Sequence, residues 1–295
     1  MRTYAIVPCL IAAFLAGACG DKTPKSSDAN AAEVNTVSPE TASASPATAV
    51  VPRPVSFDDA TAAFREKRYD EAVQMFTTYA AGQPDNVWGY YMLGLSAWKA
   101  GDRERALDAF TLALEKDSTH AKSRLNLSRV LIEHGKAPEA LPHVEAVLTI
   151  DTTSGEGFRL LGRVRDELGD RDGAIEAFKR AIVLDSGDAW SLNNLATVYI
   201  GQGRFEDALG PLARAIEIDS TVATFHNNLG VALERTGHII QAADAYRAAL
   251  AIHGTYQKAS VNLARVEGLK PDPSVVPVDL GSLARSFVEQ AQMWQ

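Results

Sequence analysis

Four asparagines, Asn126, Asn194, Asn228 and Asn262, recur at intervals of 34 residues or twice that. A carboxamide carries both a donor and an acceptor, so it can pair with a peptide group whatever the neighbouring side chain. Each such bond nets about 0.5–1.5 kcal/mol, so a column of them suits weak, sequence-tolerant capture of an extended segment. Earlier in the chain, Trp88, Tyr91, Leu95 and Trp98 are spaced three, four and three apart, which puts them on one helical face. Lys122, Arg129, Arg159 and Arg163 follow. An apolar end beside a basic stretch fits a partner carrying an apolar anchor followed by acidic groups, and aromatic and Arg side chains are the usual interface hot spots. Each set also has a purely structural use. The asparagines can bond neighbouring helices, Trp88 can belong to the core, and the cations can be solvated and balanced by nearby Glu.

Bond-making chemistry finds little support. His120, His134, His143, His226, His238 and His253 show no metal-ligand spacing. The run Ser154-Gly155-Glu156-Gly157 resembles a phosphate loop only in part, since Leu160 stands where a third Gly would be. No nucleophile elbow, P-loop or kinase set occurs. The expectation is a non-catalytic protein with no metal and no cofactor. A net charge of −8 argues against nucleic acid as a partner, because phosphate binding needs a basic footprint.

The elements that must position these residues come from a repeat. The stretch Ala189–Ser220 carries Leu195-Ala196, Tyr199, Gly203, Ala208, Leu212 and Ala215. Thirty-four residues on, the pattern returns as Leu229-Gly230, Leu233, Gly237, Ala242, Tyr246 and Ala249, and 34 back as Leu161-Gly162, Gly169, Ala174, Phe178 and Ala181. Two more steps back give Leu127-Ser128 with Gly135 and Ala140, then Leu93-Gly94 with Gly101 and Ala106. Each unit reads as two amphipathic helices broken by a Gly that can take a left-handed cap. Small residues at the eighth position (Gly94, Ser128, Gly162, Ala196, Gly230) let the two helices approach closely. A single pair cannot bury its apolar face, so neighbours must stack.

At these residues the chain resembles the tetratricopeptide repeat (TPR) family. The resemblance implies an all-α solenoid of antiparallel helix pairs in a right-handed superhelix, covering 53–269. Repeats start near 53, 87, 121, 155, 189 and 223, and a half repeat occupies 257–269. It also implies a concave groove lined by the first helix of each pair, where the recurring Asn resembles the asparagine ladder that holds a peptide by its backbone. The carboxylate clamp of this family is matched in part: Arg159, Arg163 and Asn194 fit in order, but Thr224 and Asn228 stand where a basic pair belongs. The 53–86 repeat is degenerate, with Lys67 where Gly is common. Pro138 and Pro142 fall early in a second helix, where a slight distortion is expected.

Residues 1–18 read as an export signal, with Arg2 before an apolar run too short to span a membrane comfortably. The run ends Leu15-Ala16-Gly17-Ala18-Cys19-Gly20, which resembles the lipobox of bacterial lipoproteins, with Ala16 in place of the usual Leu. That resemblance implies lipidation of Cys19 by fatty-acyl chains such as palmitate, a stable anchor once two or more chains insert. Gly20 after the Cys is similar to lipoproteins sorted to the outer membrane. Cys9 would leave with the signal, so the mature chain would hold no disulfide. Residues 19–52, rich in Ser, Thr, Ala and Pro, read as a disordered tether reaching about 30 Å.

After the breaker Lys270-Pro271-Asp272-Pro273, the segment 270–295 offers one amphipathic helix near 279–294. It is expected to cap the open end of the half repeat, with docking into the groove or a dimer contact as alternatives. The whole reads as a membrane-tethered TPR adaptor of the bacterial envelope, facing the periplasm and binding a protein or peptide segment in its groove, in the manner of pilotins or cell-wall adaptors. A self-associating structural protein using the C-terminal helix, and a glycan or small-ligand binding subunit, are the rival readings.

Overall fold

The computed structural model describes residues 54–294, and every regular element among them is an α-helix. Cys19, the signal 1–18 and the tether 19–52 lie outside the described residues. The helices are α1 (Phe57–Arg65), α2 (Tyr69–Gly82), α3 (Val87–Ala100), α4 (Arg103–Lys116), α5 (Ala121–Glu133), α6 (Ala137–Ile150) and α7 (Gly155–Glu167). There follow α8 (Arg171–Leu184), α9 (Ala189–Gly201), α10 (Phe205–Ile218), α11 (Ala223–Arg235), α12 (Ile239–Ile252), α13 (Gln257–Glu267) and α14 (Leu280–Gln292). From Val87 the first helix of each pair (A) begins every 34 residues, and from Tyr69 the second (B) does the same. The fold is an all-α solenoid of helix pairs.

The close approach inside a pair has a direct steric cause. A Cβ placed on Gly94, Gly162 or Gly230 would sit 2.6, 2.6 or 2.5 Å from the ring of Phe110, Phe178 or Tyr246 respectively. Where the eighth position is Ser128 or Ala196, the ring is replaced by Val144 or Leu212. Small and large side chains are thus matched pair by pair, which keeps the interior densely filled. Gly101 and its four equivalents close the A helices with φ between 69° and 88°, a left-handed conformation that costs other residues. In the degenerate first pair Lys67 adopts it instead, at φ 62°. Pro138 sits in the first turn of α6, and the helix continues through Pro142 to Ile150.

Each A helix touches the A helices before and after it, whereas successive B helices do not touch one another. The A helices therefore line the inner side of the curve and the B helices the outer side.

The C-terminal helix corrects the expectation of an end cap. α14 makes no contact with α13 and lies on no A-helix face; it runs back over the outer side, along α10 and against α8. The reason is written on α10. Gly210, Pro211 and Ala213 are buried there, while the other B helices carry Gln74, Asp108, Pro142, Glu176 and Asp244 at the position of Gly210, and Thr77, Thr111, Glu145, Lys179 and Arg247 at that of Ala213. A Cβ on Gly210 would lie 3.0 Å from the Phe287 Cβ, so the bare backbone is what admits the helix. Gln241 fixes the approach: its amide accepts from Val278 N–H and donates to Val278 C=O, both at 2.8 Å. Val261 and Leu269, at the end the helix leaves uncovered, are exposed.

Candidate functional site

The inner face divides into two chemistries. On α3, Trp88 is 44% exposed while Tyr91, Leu95 and Trp98 are half-buried. Trp88, Tyr91 and His120 pack edge to face, with centroids 4.8–5.6 Å apart. The next A helix covers this aromatic row with cations: the Lys122 Nζ lies 5.2 Å from the Trp88 ring centroid and the Arg129 guanidinium 5.4 Å from that of Trp98. The indole of Trp98 donates to Glu133 at 3.0 Å. Trp88 is therefore a surface residue, and the row is a cation-roofed strip rather than bare apolar surface.

The cations themselves are not equivalent. Arg129 pairs with Glu156 and donates to the Asn126 Oδ1 at 2.7 Å. Asn126 is buried and gives its amide protons to the Lys122 carbonyl at 2.9 Å, so it serves its own helix and Arg129. Arg159 donates to Asp188 at 2.8 Å. That carboxylate also caps α9, accepting from the Trp190 and Ser191 N–H groups. Arg163 differs. It is half-buried and, among the described residues, has neither a hydrogen bond nor an ion pair. Burial pushes its pKa below the usual guanidinium value, against the pull of Glu167 and Glu133, with Arg129 and Arg159 adding repulsion. A partly desolvated guanidinium with no protein acceptor relies on solvent for its hydrogen bonds, so an acceptor on a ligand is gained at little cost.

Towards the C-terminus the face is amide-lined, and its charges, Arg265 and Glu234, are paired with each other at 2.6 Å. Asn262 donates to Asn227 at 3.1 Å, Asn227 to Asn228 at 3.2 Å, Asn228 to Asn193 at 2.9 Å, and Asn193 to Asn194 at 3.4 Å. Five carboxamides thus form one relay across α13, α11 and α9. Asn193 and Asn227, both buried, were missed by a reading of the sixth repeat position alone. The signal was the Asn-Asn doublet, which recurs after 34 residues with Val261 breaking it in the third copy. Asn194, Asn228 and Asn262 stay half-buried at the surface of the relay. Asn126 belongs to the other region, so the four asparagines do not form one column. In the partial clamp, Arg159 is spent on Asp188 and Asn194 takes a hydrogen bond from Asn193, leaving Arg163 as its member with no partner.

No group of three or more His, Cys, Asp or Glu side chains among the described residues is arranged to hold a metal ion. No helix among them is long and apolar enough to cross a membrane.

A tetratricopeptide repeat family model matches residues 91–155, 159–223 and 193–257, more than half of the sequence. The chain belongs to the tetratricopeptide repeat family. No curated protein matches it. Among solved structures, this TPR chain is similar to a tetratricopeptide repeat protein from Parabacteroides merdae, with TM-score 0.61, 15% identity, and coverage of 72% of this chain and 82% of that one. It is also similar to the APC/C hetero-tetramer Cut9–Hcn1, with TM-score 0.65, 18% identity, and coverage of 70% and 41%. MamA from Desulfovibrio magneticus RS-1 gives TM-score 0.51 at 21% identity over 55% of this chain and 92% of that one. At these identities the likeness establishes the TPR fold.

Proposed function

We propose that this TPR protein is a non-catalytic adaptor that holds a segment of a partner protein on its inner face, tethered to a bacterial envelope membrane through lipidated Cys19. The observation that carries the groove reading is Arg163. A half-buried guanidinium without a protein acceptor, one A helix beyond the strip of Trp and Tyr on α3, is poised for a carboxylate on a segment whose apolar side chain lies against α3. Only the two ends of the amide relay, the Asn262 Oδ1 and the Asn194 amide N–H groups, are left for a passing backbone, so the relay adds little to this reading. The lipobox-like Leu15–Gly20 supports the tether, with the outer membrane, facing the periplasm, as its destination. Anchoring raises the effective concentration of groove and partner on one surface, so a weak groove suffices. Support for assembly of an envelope complex, pilotin-like or cell-wall-adaptor-like, fits both halves of this picture.

Fluorescence anisotropy with a synthetic peptide tests the groove. A Trp-Leu anchor followed by Asp and Glu should bind the wild type. Replacing the acids by Lys, or Arg163 by Ala, should weaken binding about tenfold, the worth of one charge-assisted bond. Equal binding of the acidic and basic peptides would remove Arg163 from the site. The tether has its own test: Cys19→Ser should move the protein from the membrane to the soluble envelope fraction, and unchanged fractionation would discard the anchor.

The rival in which the C-terminal helix drives self-association is disfavoured by one observation. Phe287 and Ala284 of α14 are already buried on the chain's own α10 and α8.

A further inference from the structure

The array ends on an A helix that has no B helix of its own. In α3, α5, α7, α9 and α11 the eighth position of the repeat is buried, and Gly94 and Gly230 lie directly under a ring of the paired B helix. α13 keeps the small residue there, Ala264, but α14 leaves for α10 and nothing takes the B position. Ala264 is exposed. Val261, at 58%, is exposed as well. It stands where α9 and α11 carry the buried Asn193 and Asn227, and Asn227 shows what that place faces, since it accepts from Asn262 of the following A helix. No A helix follows α13. An end built for water would keep a polar side chain there, yet this is the copy in which the Asn is replaced by Val.

The opposite end of the array is finished differently. α1 turns Asp58, Asp59, Ala62, Arg65 and Glu66 to solvent, and no large apolar side chain between 54 and 86 is exposed. A polar outer face on the terminal repeats is what keeps a solenoid soluble. The first repeat has one and the half repeat does not. Charge decides what covers the open end. Val261, Ala264 and the Gly268 cap form a neutral strip, with the uncharged Gln257 and Ser260 beside it. The charges on its borders are closed within the chain, Arg265 on Glu234 at 2.6 Å and Glu267 on Arg247 at 2.8 Å. Lys258 is the exception, and its long stem lets the ammonium stay in water when the strip is covered. A charged partner therefore finds little to pair with. A second neutral strip of small side chains fits, and α13 of another copy is one. Head-to-tail stacking would instead take the carboxylates of α1 out of water against Val261.

We propose that the chain forms a tail-to-tail dimer in which the α13 strips of two copies pack antiparallel across a two-fold axis, with Val261 and Ala264 at its centre. Isologous pairing uses one surface twice and closes on itself. A helix of 11 residues is about 16 Å long, so the contact is smaller than a standard interface and the dimer is weak. α14 stays on α10 in each copy and takes no part. Two chains so joined present two inner faces, and a partner with two matching segments is then held bivalently. The dimer itself stands whether or not a peptide binds the inner face.

Sedimentation equilibrium tests this on the full chain carrying Cys19→Ser, so that no acyl chain contributes, up to about 1 mM, the weak end of specific association. The mass should rise from one copy to two and stop there. Val261→Glu and Ala264→Glu change exposed positions and set like charges across the axis, so each should weaken pairing at least about tenfold with the helical circular dichroism unchanged. Ala62→Glu, on the polar end, should alter nothing. An equimolar mixture of Val261→Glu and Val261→Lys chains should pair more tightly than either variant alone, which a contact between two α13 helices explains and a loss of fold does not. A chain that stays monomeric at about 1 mM overturns the proposal and leaves the strip to another protein. A dimer indifferent to Val261→Glu, a mixture that pairs no better than its parts, or growth beyond two copies overturns it equally.

Discussion

The two halves of the inner face solve the same packing problem with opposite chemistry. Between α9, α11 and α13, adjacent A helices are joined chiefly by carboxamides whose donors and acceptors are matched along a relay, with one closed ion pair, Arg265 to Glu234, beside them. Between α3, α5 and α7, the joints are aromatic rings under cations and ion pairs that cross from one helix to the next, Arg129 to Glu156 for example. The amide half spends its polar groups on itself. The charged half leaves Arg163 without a protein acceptor. One half is thus built chiefly for stability and the other carries an unmet demand, which is where a ligand gains most. Native chains accept such local cost at functional sites.

The largest effect should come from breaking the relay at its centre. Asn227 accepts from Asn262 and donates to Asn228, and it is buried. Asn227→Ala strands a group on each neighbour and should cost about 1–3 kcal/mol in urea unfolding. It should leave the affinity for an acidic peptide near that of the wild type. An Ala variant as stable as the wild type would mean that the carboxamides contribute no net structure, and the contrast between the halves would lose its basis.

Arg163→Ala should do the reverse. It removes a partly desolvated charge that has no hydrogen-bonded counter-ion, so stability should stay within about 0.5 kcal/mol of the wild type or rise, while the acidic peptide weakens about tenfold. A clear loss of stability would show that Glu133 and Glu167, which act on this guanidinium through space, already satisfy it. The charged half would then be as self-sufficient as the amide one.

The solenoid was legible because its period is fixed and each unit repeats the same small-to-large match, Gly162 to Phe178 and Ala196 to Leu212 among them. Local pattern determines such a fold repeat by repeat. The outer side was less legible. α14 was readable as an amphipathic helix, but its docking place depended on noticing that Gly210 and Ala213 replace residues that are mostly charged or polar elsewhere. The inner-face residues were found by position, yet their pairing was not, because hydrogen bonds such as Asn228 to Asn193 join different repeats and depend on how two helices are offset. Which arginine lacks a partner is likewise a matter of a few ångströms, as Arg159 and Arg163 show on one helix.

The smallest predicted difference between the halves is in their response to acid. His120 and His143 flank α5 and are half-buried. Burial lowers the pKa of His120, with Asp117 opposing and Lys122 assisting, and burial together with Arg124 lowers that of His143. The unfolded chain takes up these protons as pH falls through about 6.5, and the folded chain only at lower pH. In that window the unfolded state binds more protons, so stability declines as pH falls. In the other half the shifted acids are Asp219, held low by hydrogen bonds from Thr221, and Glu234. Glu234 is the more buried of the two. Its burial would raise the pKa, but hydrogen bonds from Arg265 and Tyr246 outweigh that and hold it below the usual glutamate value. Its contribution is complete above about pH 4.5 and lost only as pH drops through the lowered folded value. Because repeat arrays loosen segment by segment, hydrogen exchange at pH 5.5, corrected for intrinsic rates, should show α3–α6 losing protection relative to pH 7.5 while α9–α12 keep theirs. A uniform loss would mean that the array opens as one unit, and an earlier loss in α9–α12 would reverse the assignment of which half yields first.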